Sequence, residues 1–312
     1  MIELDHVVKR YGGRGAVDGL TLTIEARTLC AFVGPSGCGK STTLRLINAL
    51  IRPDEGSIRI DAQDIAAMKP ETLRRGIGYV IQSIGLFPHW NVADNIATVP
   101  RLLRWPKARI EARIDELLDL LRLDPGEFRV KFPHQLSGGQ QQRVGVARAL
   151  AADPNIVLMD EPFGALDPPT REALQGEIRR IQAETKKTIV FVTHDMDEAL
   201  RLGDRVAVMQ SGKLVQFATP AEILAKPAND FVRQFVGGAD MSIRVLAVAR
   251  VAERMRRDGA AVAEDNSEPI GESASLKEAL TLMMTSKREA LPVIDADGRR
   301  VGTIRLTDLA YL

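Results

Sequence analysis

Short apolar runs separated by polar segments recur along the first two thirds of the chain, and they predict β-strands. The early segments Ile2–Val8 and Leu20–Ile24 alternate apolar and polar residues, as half-buried antiparallel strands do. Three of the later runs are apolar on both faces, which is typical of a parallel sheet covered by helices. The later predicted strands are Leu29–Val33, Ile77–Ile81, Ile156–Met159, Thr188–Val192 and Arg205–Met209.

Helical spacing replaces this pattern between residues 81 and 156. Apolar residues recur there every three or four positions between charged ones, which predicts an amphipathic helix. Two further helices are predicted at Thr42–Leu50 and Gln141–Ala152. Strands that alternate with helices indicate the α/β class with a mixed sheet as its core. The apolar positions of the amphipathic helix are Ile110, Ile114, Leu117, Leu118 and Leu121.

The pattern changes again after Gly237-Gly238. Residues 239–267 are rich in Ala, Arg and Val, and they predict a linker containing one helix that ends near Asp258-Gly259. Residues 268–312 then predict a small α+β unit. Its elements are the helix Ser275–Thr285, the strands Ala290–Ile294 and Val301–Ile304, and the turn Asp295–Gly298 between them.

Composition excludes several classes of protein. The 312 residues allow about two domains, and the net charge of +1 gives no reason to expect nucleic acid or an anionic membrane surface as a partner. Two cysteines, Cys30 and Cys38, do not make a disulfide framework and fit a reducing cytoplasm. Since no signal peptide is visible and no apolar run approaches the ~18–20 residues of a membrane helix, we expect a soluble chain.

Residues 34–41 lie between a predicted strand and a predicted helix, and they match the phosphate-loop pattern G-x-x-x-x-G-K-[ST]. In such a loop, glycines let backbone N–H groups converge on phosphate oxygens at a helix N-terminus. Lys40 adds a positive charge at the β- and γ-phosphates, and Ser41 offers its hydroxyl to Mg²⁺. We therefore expect ATP and Mg²⁺ to bind here. The residues concerned are Gly34, Pro35, Ser36, Gly37, Cys38, Gly39, Lys40, Ser41 and Thr42.

Two adjacent acids, Asp160 and Glu161, end the predicted strand at 156–159. Buried adjacent acids are costly unless a cation or a proton relay holds them. We expect Asp160 to support Mg²⁺, and Glu161 to face the other way along the strand, where it orients and deprotonates the attacking water. The alternative is a pair of surface acids that caps the strand.

A second glycine-containing segment, Leu136-Ser137-Gly138-Gly139-Gln140, precedes the helix predicted at 141–152. Its open N–H groups and the positive end of the helix suit a phosphate. Because the loop that holds Lys40 already serves the phosphates from its own side, one chain does not need two such cradles for one nucleotide. The alternative is an uninvolved serine-glycine helix cap.

In this order, the three motifs resemble those of the nucleotide-binding subunit of an ABC transporter over roughly residues 1–238. The resemblance implies an ABC-type P-loop NTPase fold with a mixed sheet core, an antiparallel β subdomain and a helical subdomain at about 83–152. It implies an ATP hydrolase that acts as a head-to-tail dimer. In that dimer, the segment 136–140 of one copy closes over ATP held by the second copy.

The resemblance also implies roles for single residues. Gln82 matches a Mg²⁺ ligand that senses the membrane subunit, and His194 matches the switch histidine that contacts the γ-phosphate and, with Lys40 and Glu161, makes up the catalytic set. Tyr11 fits an aromatic residue that stacks on adenine, with a packing tyrosine as the alternative. Asp167, in the segment Ala165-Leu166-Asp167, matches a loop that crosses to the opposite site.

The stretch 78–106 closely resembles the ATPase subunits of osmoprotectant importers, which move glycine betaine, carnitine and choline. This likeness implies integral membrane permease subunits and, indirectly, a substrate-binding protein as partners, with no nucleic acid, at the cytoplasmic face of the membrane. An importer of another amine, an amino acid or an anion is the first alternative. A soluble ABC ATPase of DNA repair or translation is the second, although its usual coiled-coil insertion or second cassette is missing from this sequence.

Residues 268–312 resemble a single CBS motif. In relatives, tandem CBS motifs form a cleft for adenine nucleotides or sense ionic strength, but only one copy is legible here. Arg305 occupies a position where a ribose-contacting Ser or Thr often precedes the acid at Asp308. Two interpretations stay open: the single motifs of two chains pair across the dimer, or the tail is a vestigial dimerisation element.

Overall fold

The computed structural model describes residues 1–83, 85–164, 166–237, 245–246, 248–257 and 268–309, and the chain divides into two compact units, Met1–Ala218 and Thr219–Leu312. The domain boundaries expected from the sequence, at 238 and 267, stay predictions. The strands of the first unit are β1 (Ile2–Tyr11), β2 (Arg14–Ile24), β3 (Leu29–Val33), β4 (Glu55–Ile60), β5 (Gln63–Asp64), β6 (Ile77–Val80), β7 (Ile156–Asp160), β8 (Thr188–Thr193), β9 (Arg205–Gln210) and β10 (Lys213–Ala218). Its helices are α1 (Lys40–Ile47), α2 (Pro70–Arg75), α3 (Val92–Ile96), α4 (Thr98–Leu102), α5 (Lys107–Leu120), α6 (Pro125–Phe128), α7 (Gly138–Leu150), α8 (Pro168–Thr185) and α9 (Met196–Leu202).

A mixed sheet forms the core of the first unit. Its strands in the described residues run in the order β10-β9-β3-β8-β7-β6. Neighbours are parallel except for the antiparallel pair β9 and β10. β3, β7 and β8 are buried along their whole length, as expected for strands that are apolar on both faces. Their carboxyl ends meet at one edge of the sheet, where ligands of α/β proteins bind.

A second, antiparallel sheet contains β2-β1-β4-β5 in that order among the described residues. It confirms the predicted antiparallel subdomain but extends both early strands. β1 continues to Tyr11 and β2 starts at Arg14, because Gly12 and Gly13 turn the chain with φ of 54° and 79°. Neither β4 nor β10 was expected from the sequence.

The described chain between β6 and β7 is helical, as expected. α5 buries the predicted stripe of Ile110, Ile114, Leu117 and Leu118. α7 begins at Gly138, three residues before the predicted start at Gln141, because Ser137 caps the helix. No helix in the described ranges combines the length and the apolar character needed to cross a membrane.

The second unit contains α10 (Pro220–Ala225), α11 (Asp230–Phe235) and α12 (Leu276–Ser286), with β11 (Ile270–Gly271), β12 (Ala290–Ile294) and β13 (Arg300–Arg305). The expectation of one helix across 239–267 is wrong for residues 249–257. They form a 3₁₀ turn with bridges from Arg250 to Ser275 and from Arg256 to Thr303. Val251 is fully buried in the core of this unit, so packing overrides helix propensity. Residues 239–244, 247 and 258–267 lie outside the described residues.

Candidate functional site

The loop between β3 and α1 depends on glycine at three positions. Gly34, Gly37 and Gly39 have φ of 155°, 77° and 106°, a region that L side chains rarely adopt. A Cβ on Gly34 would lie 2.2 Å from the carbonyl oxygen of Met209, and one on Gly39 would lie 2.3 Å from that of Ala16. The loop therefore stays narrow enough to wrap closely around a phosphate group.

Lys40 is held inside this loop. It is the first residue of α1, and only 5 % of its surface is exposed. Its Nζ donates hydrogen bonds to the carbonyl oxygens of Gly34 at 2.7 Å and Pro35 at 3.0 Å. Because both of these acceptors are neutral, the positive charge of the ammonium group is available to a bound phosphate anion.

A hydroxyl and a carboxylate lie side by side next to the loop. Ser41 Oγ donates to Asp160 Oδ1 at 2.7 Å, and Asp160, the last residue of β7, is 4 % exposed. Gln82 approaches from the end of β6, where its Nε2 donates to Glu161 Oε2 at 3.2 Å. Hydroxyl, carboxylate and amide oxygens are the hard ligands that Mg²⁺ prefers. The described residues contain no group of three or more His, Cys, Asp and Glu side chains that could cage a metal. The hydroxyl of Ser41 and the carboxylate of Asp160 fit a Mg²⁺ ion that takes its other ligands from phosphate and water.

Glu161 does not lie on the strand, as the sequence predicted, but in a turn just past its end. Its φ of 45° is unusual for a residue with a side chain. Its N–H donates to the carbonyl oxygen of Val192 at 3.1 Å, which fixes the turn against β8. From this turn, Oε2 of Glu161 lies 3.5 Å from Nδ1 of His194, and the Glu161 side chain is 22 % exposed. A carboxylate that water can reach therefore faces an imidazole.

The segment 136–140 forms the first turn of α7. Ser137 Oγ accepts from the Gln140 N–H at 3.3 Å, and Gln140 Oε1 accepts from the Ser137 N–H at 2.9 Å, which makes a capping box. A Cβ on Gly138 would meet nothing within 4 Å, whereas one on Gly139 would lie 2.2 Å from Cγ2 of Thr170. Because Gly138 has no side chain, the backbone stays uncovered at the N-terminus of α7, which carries the positive end of the helix dipole. The absence of a side chain on Gly139 lets α7 approach α8.

Three other predicted residues are placed by local contacts. Tyr11 is 51 % exposed, with Lys9 Nζ 5.7 Å from its ring centre. Asp167 caps α8, and hydrogen bonds from Thr170 hold its pKa below the usual value. Burial raises the pKa of the Cys38 thiol, so its sulfur stays neutral in the loop.

The structure brings six of the predicted residues to one edge of the core sheet: Lys40, Ser41, Asp160, Gln82, Glu161 and His194. Segment 136–140, by contrast, starts a separate helix. Ala165 lies outside the described residues.

One residue that shapes this region was not predicted. Asn95 on α3 is fully buried, and its Nδ2 donates to the carbonyl oxygens of Phe87, Trp90 and Asn91 at 3.0–3.1 Å. Its Oδ1 accepts from the Phe87 N–H at 2.8 Å. These bonds fix the backbone of residues 87–91. The sequence feature that could have indicated Asn95 is an amide residue directly before Ile96, on the side of a short helix that carries apolar residues.

The chain is similar to known proteins over its full length. A family model described as ABC transporter matches residues 17–164, and one described as CBS domain matches residues 260–312. The chain is 51 % identical over 309 residues to the glycine betaine uptake system ATP-binding protein YehX of Escherichia coli K12, covering 99 % of both chains. It is 49 % identical over 296 residues to the carnitine transport ATP-binding protein OpuCA of Listeria monocytogenes, covering 95 % of this chain and 72 % of that one.

The fold also matches a solved structure, the ATP-binding cassette MJ0796 in a dimeric, post-hydrolysis state bound to ADP and Pi. The TM-score is 0.64 at 34 % sequence identity, and the match covers 70 % of this chain and 99 % of that chain. The alignment therefore places nearly all of a nucleotide-binding cassette within this sequence.

Proposed function

Because the chain belongs to the family of ABC transporter ATP-binding subunits, we propose that it hydrolyses ATP to drive the import of osmoprotectant quaternary amines. The substrate class is supported by the relatives named for glycine betaine and carnitine, the first of which matches over 99 % of both chains. The ATPase chemistry is supported by one observation above all. The phosphate loop, the pair Ser41–Asp160 and the pair Glu161–His194 meet at one edge of the core sheet.

In the proposed reaction, Lys40 and the loop amides hold the β- and γ-phosphates. Glu161 takes a proton from a water molecule as the water oxygen bonds to the γ-phosphorus. The bond from that phosphorus to the bridging oxygen breaks, and ADP and phosphate leave. His194, 3.5 Å from Glu161, donates a hydrogen bond to a γ-phosphate oxygen in the transition state. Mg²⁺ bound beside Ser41 and Asp160 would neutralise charge on the phosphates.

We further propose that two copies sandwich two ATP molecules. The first turn of α7 supports this arrangement, because Ser137 and Gly138 are exposed there and can face a phosphate held by a second chain. The similar cassette MJ0796 is dimeric. In this arrangement Asp167, at the start of α8, approaches the opposite site.

The proposed membrane partners are permease subunits, supplied with cargo by a substrate-binding protein, and the chain would act at the cytoplasmic face of the membrane. A cleft of about 360 Å³ lies beside the segment that follows Gln82, and Tyr79, Phe87 and Arg148 are among the residues that line it. Since Asn95 fixes one wall of this cleft, we propose that a permease loop docks there. A movement of the docked permease loop would then push on the wall of this cleft and be transmitted to Gln82 and Glu161.

The ATPase activity of the complex, purified with its membrane partners and assayed with the binding protein, tests the function. Glycine betaine, carnitine and choline are compared with amino acids and anions. We expect stimulation by quaternary amines alone. Stimulation by another class would refute the cargo and leave the ATPase assignment intact, because the ATPase subunit does not touch the transported molecule.

A further inference from the structure

A buried acid, Glu198, lies beneath the turn that carries His194. It is on α9 and is 7 % exposed. Thr193 Oγ1 donates to its Oε2 at 2.5 Å, and Gln175 Nε2 donates to its Oε1 at 3.2 Å. Both carboxyl oxygens therefore have a partner, one on β8 and one on α8.

These bonds hold the chain on both sides of His194. Thr193 Oγ1 also accepts from the Asp195 N–H at 3.0 Å, and Asp195 Oδ1 accepts from the Glu198 N–H at 3.3 Å. The side chain of His194 is 59 % exposed, and its ring contact in the described residues is with Glu161. The bonds therefore fix the backbone on both sides of His194, from which the imidazole reaches Glu161.

Glu198 also connects this turn to the start of α8. Arg171 Nε lies 3.9 Å from Glu198 Oε1, and Arg171 Nη2 donates to the carbonyl oxygen of Leu166 at 3.0 Å. Glu161, His194, Arg171 and Glu198 all line one small cavity. Burial raises the pKa of Glu198, while the hydrogen bond from Thr193 lowers it, and the titratable and charged groups that face it are Asp195, Arg171 and His194.

We propose that Glu198 is the positioning residue for His194, because its carboxyl group holds Thr193 and so keeps the imidazole against Glu161 during hydrolysis. The inference rests on the proposed ATPase function. Glu198 touches neither Lys40 nor Ser41 in the described structure, so its role concerns turnover rather than ATP binding.

The test compares Glu198→Gln with wild type in the complex purified with its membrane partners. A glutamine in this place turns one of the two carboxyl oxygens into an NH2 donor, so either Thr193 or Gln175 loses the acceptor that it has in the wild type. We expect kcat to fall about tenfold, less than the ~100-fold that a 1 Å misplacement can cost, with KM for ATP within about twofold of wild type. Glu184→Gln, on the exposed face of α8, is the matched control and should leave both constants unchanged.

A variant pair at Thr193 tests the same link without touching the buried acid. Thr193→Ala should reproduce the loss of kcat, and Thr193→Ser, which keeps the hydroxyl, should restore it. In a His194→Ala background, Glu198→Gln should change kcat less than about twofold, because the two residues act through one path.

Three results would overturn the proposal. They are unchanged kcat in Glu198→Gln and Thr193→Ala, equal losses in Thr193→Ala and Thr193→Ser, or a full additional loss from Glu198→Gln in the His194→Ala background. If Glu198→Gln does not fold, the Thr193 pair decides. Normal hydrolysis by His194→Ala would refute the catalytic role of the histidine, and the positioning role with it. If His194→Ala is impaired while Glu198→Gln and Thr193→Ala are both normal, the positioning role is refuted and the catalytic role of the histidine stands.

Discussion

The two glycines of the segment 136–140 should respond oppositely to the same substitution. Gly138→Ala places a methyl group where nothing lies within 4 Å, whereas Gly139→Ala places it 2.2 Å from Cγ2 of Thr170. The next atoms of Thr170, Cβ and Oγ1, lie at 3.6 and 3.9 Å, which is ordinary contact. The conflict at Gly139 therefore comes from one methyl group of one neighbour.

The magnitude follows from this geometry. Overpacking by a methyl group costs about 1–3 kcal/mol, and replacing glycine by alanine in a helix returns up to about 1 kcal/mol. Gly139→Ala should therefore lower the free energy of unfolding by up to about 2 kcal/mol. Gly138→Ala should leave it unchanged or raise it slightly, yet lower ATPase activity, because the new methyl group meets the partner's nucleotide in the proposed dimer.

Denaturant unfolding followed by tryptophan fluorescence suits the measurement. Trp90 and Trp105 both lie between β6 and β7, in the same part of the fold as α7. Thr170→Ser removes Cγ2 and keeps the backbone N–H that bonds to Asp167, so it should restore stability in the Gly139→Ala background. Equal stability of the two alanine variants, or no rescue by Thr170→Ser, would refute the reasoning.

Four further predictions concern other parts of the chain. Glu161→Gln should bind ATP, hydrolyse it at least about 100-fold more slowly and accumulate as a dimer in light scattering; near-normal turnover would contradict the role of the acid. Asn95→Ala should lower the free energy of unfolding by about 2–3 kcal/mol, because three backbone carbonyls lose their donor; Asn95→Asp, which cannot donate, should not rescue it in the same denaturant assay. The hydrogen bond from Lys187 lowers the pKa of Asp153 below 3.8, so its stabilisation is present above the unfolded-state pKa and is lost as the pH falls through the folded-state pKa. Because Asp153 is partly exposed, Asp153→Asn should lower the free energy of unfolding by only about 1 kcal/mol. In urea titrations this loss should stay constant from about pH 8 to 5 and shrink at lower pH, as the carboxyl group becomes protonated. A loss that already shrinks near neutral pH would contradict the prediction. Deleting residues 240–312 should leave osmotic and nucleotide regulation of transport unchanged if the tail is vestigial, and abolish it if tails pair across the dimer.

The site could be predicted from the sequence where the chemistry lies in contiguous residues. The phosphate loop and the acids Asp160 and Glu161 come at the ends of predicted strands, and parallel strands bring their carboxyl ends together. The turn at Glu161 could not be predicted, because alternation along a strand gives no sign that the next residue leaves it with φ of 45°. The different constraints on Gly138 and Gly139 could not be predicted either, because they depend on Thr170, which lies 31 residues after Gly139 in the sequence.

Errors in element prediction have a similar cause. β10 is half-buried without clear alternation, so its pattern carries no strand signal, yet it completes the sheet beside β9. Residues 249–257 are helical by composition, but the backbone of Arg256 pairs with Thr303. Gly302 permits this approach, since a Cβ there would lie 2.4 Å from the carbonyl oxygen of Arg256. Long-range packing decides these segments, and local propensity is overridden.

α8 gives a physical reason for expecting the two nucleotide sites of the proposed dimer to act together. At its start, Thr170 packs against Gly139, in the turn that would face the partner's ATP in the proposed dimer. Five residues later, Gln175 donates to Glu198, beneath the histidine that we propose serves the chain's own ATP. A displacement of α7 on closure would move Thr170, and a helix transmits such a displacement along its axis more readily than a loop does. In the proposed dimer, α8 would thus join the contact beside one nucleotide to the residues that we propose position His194 at the other.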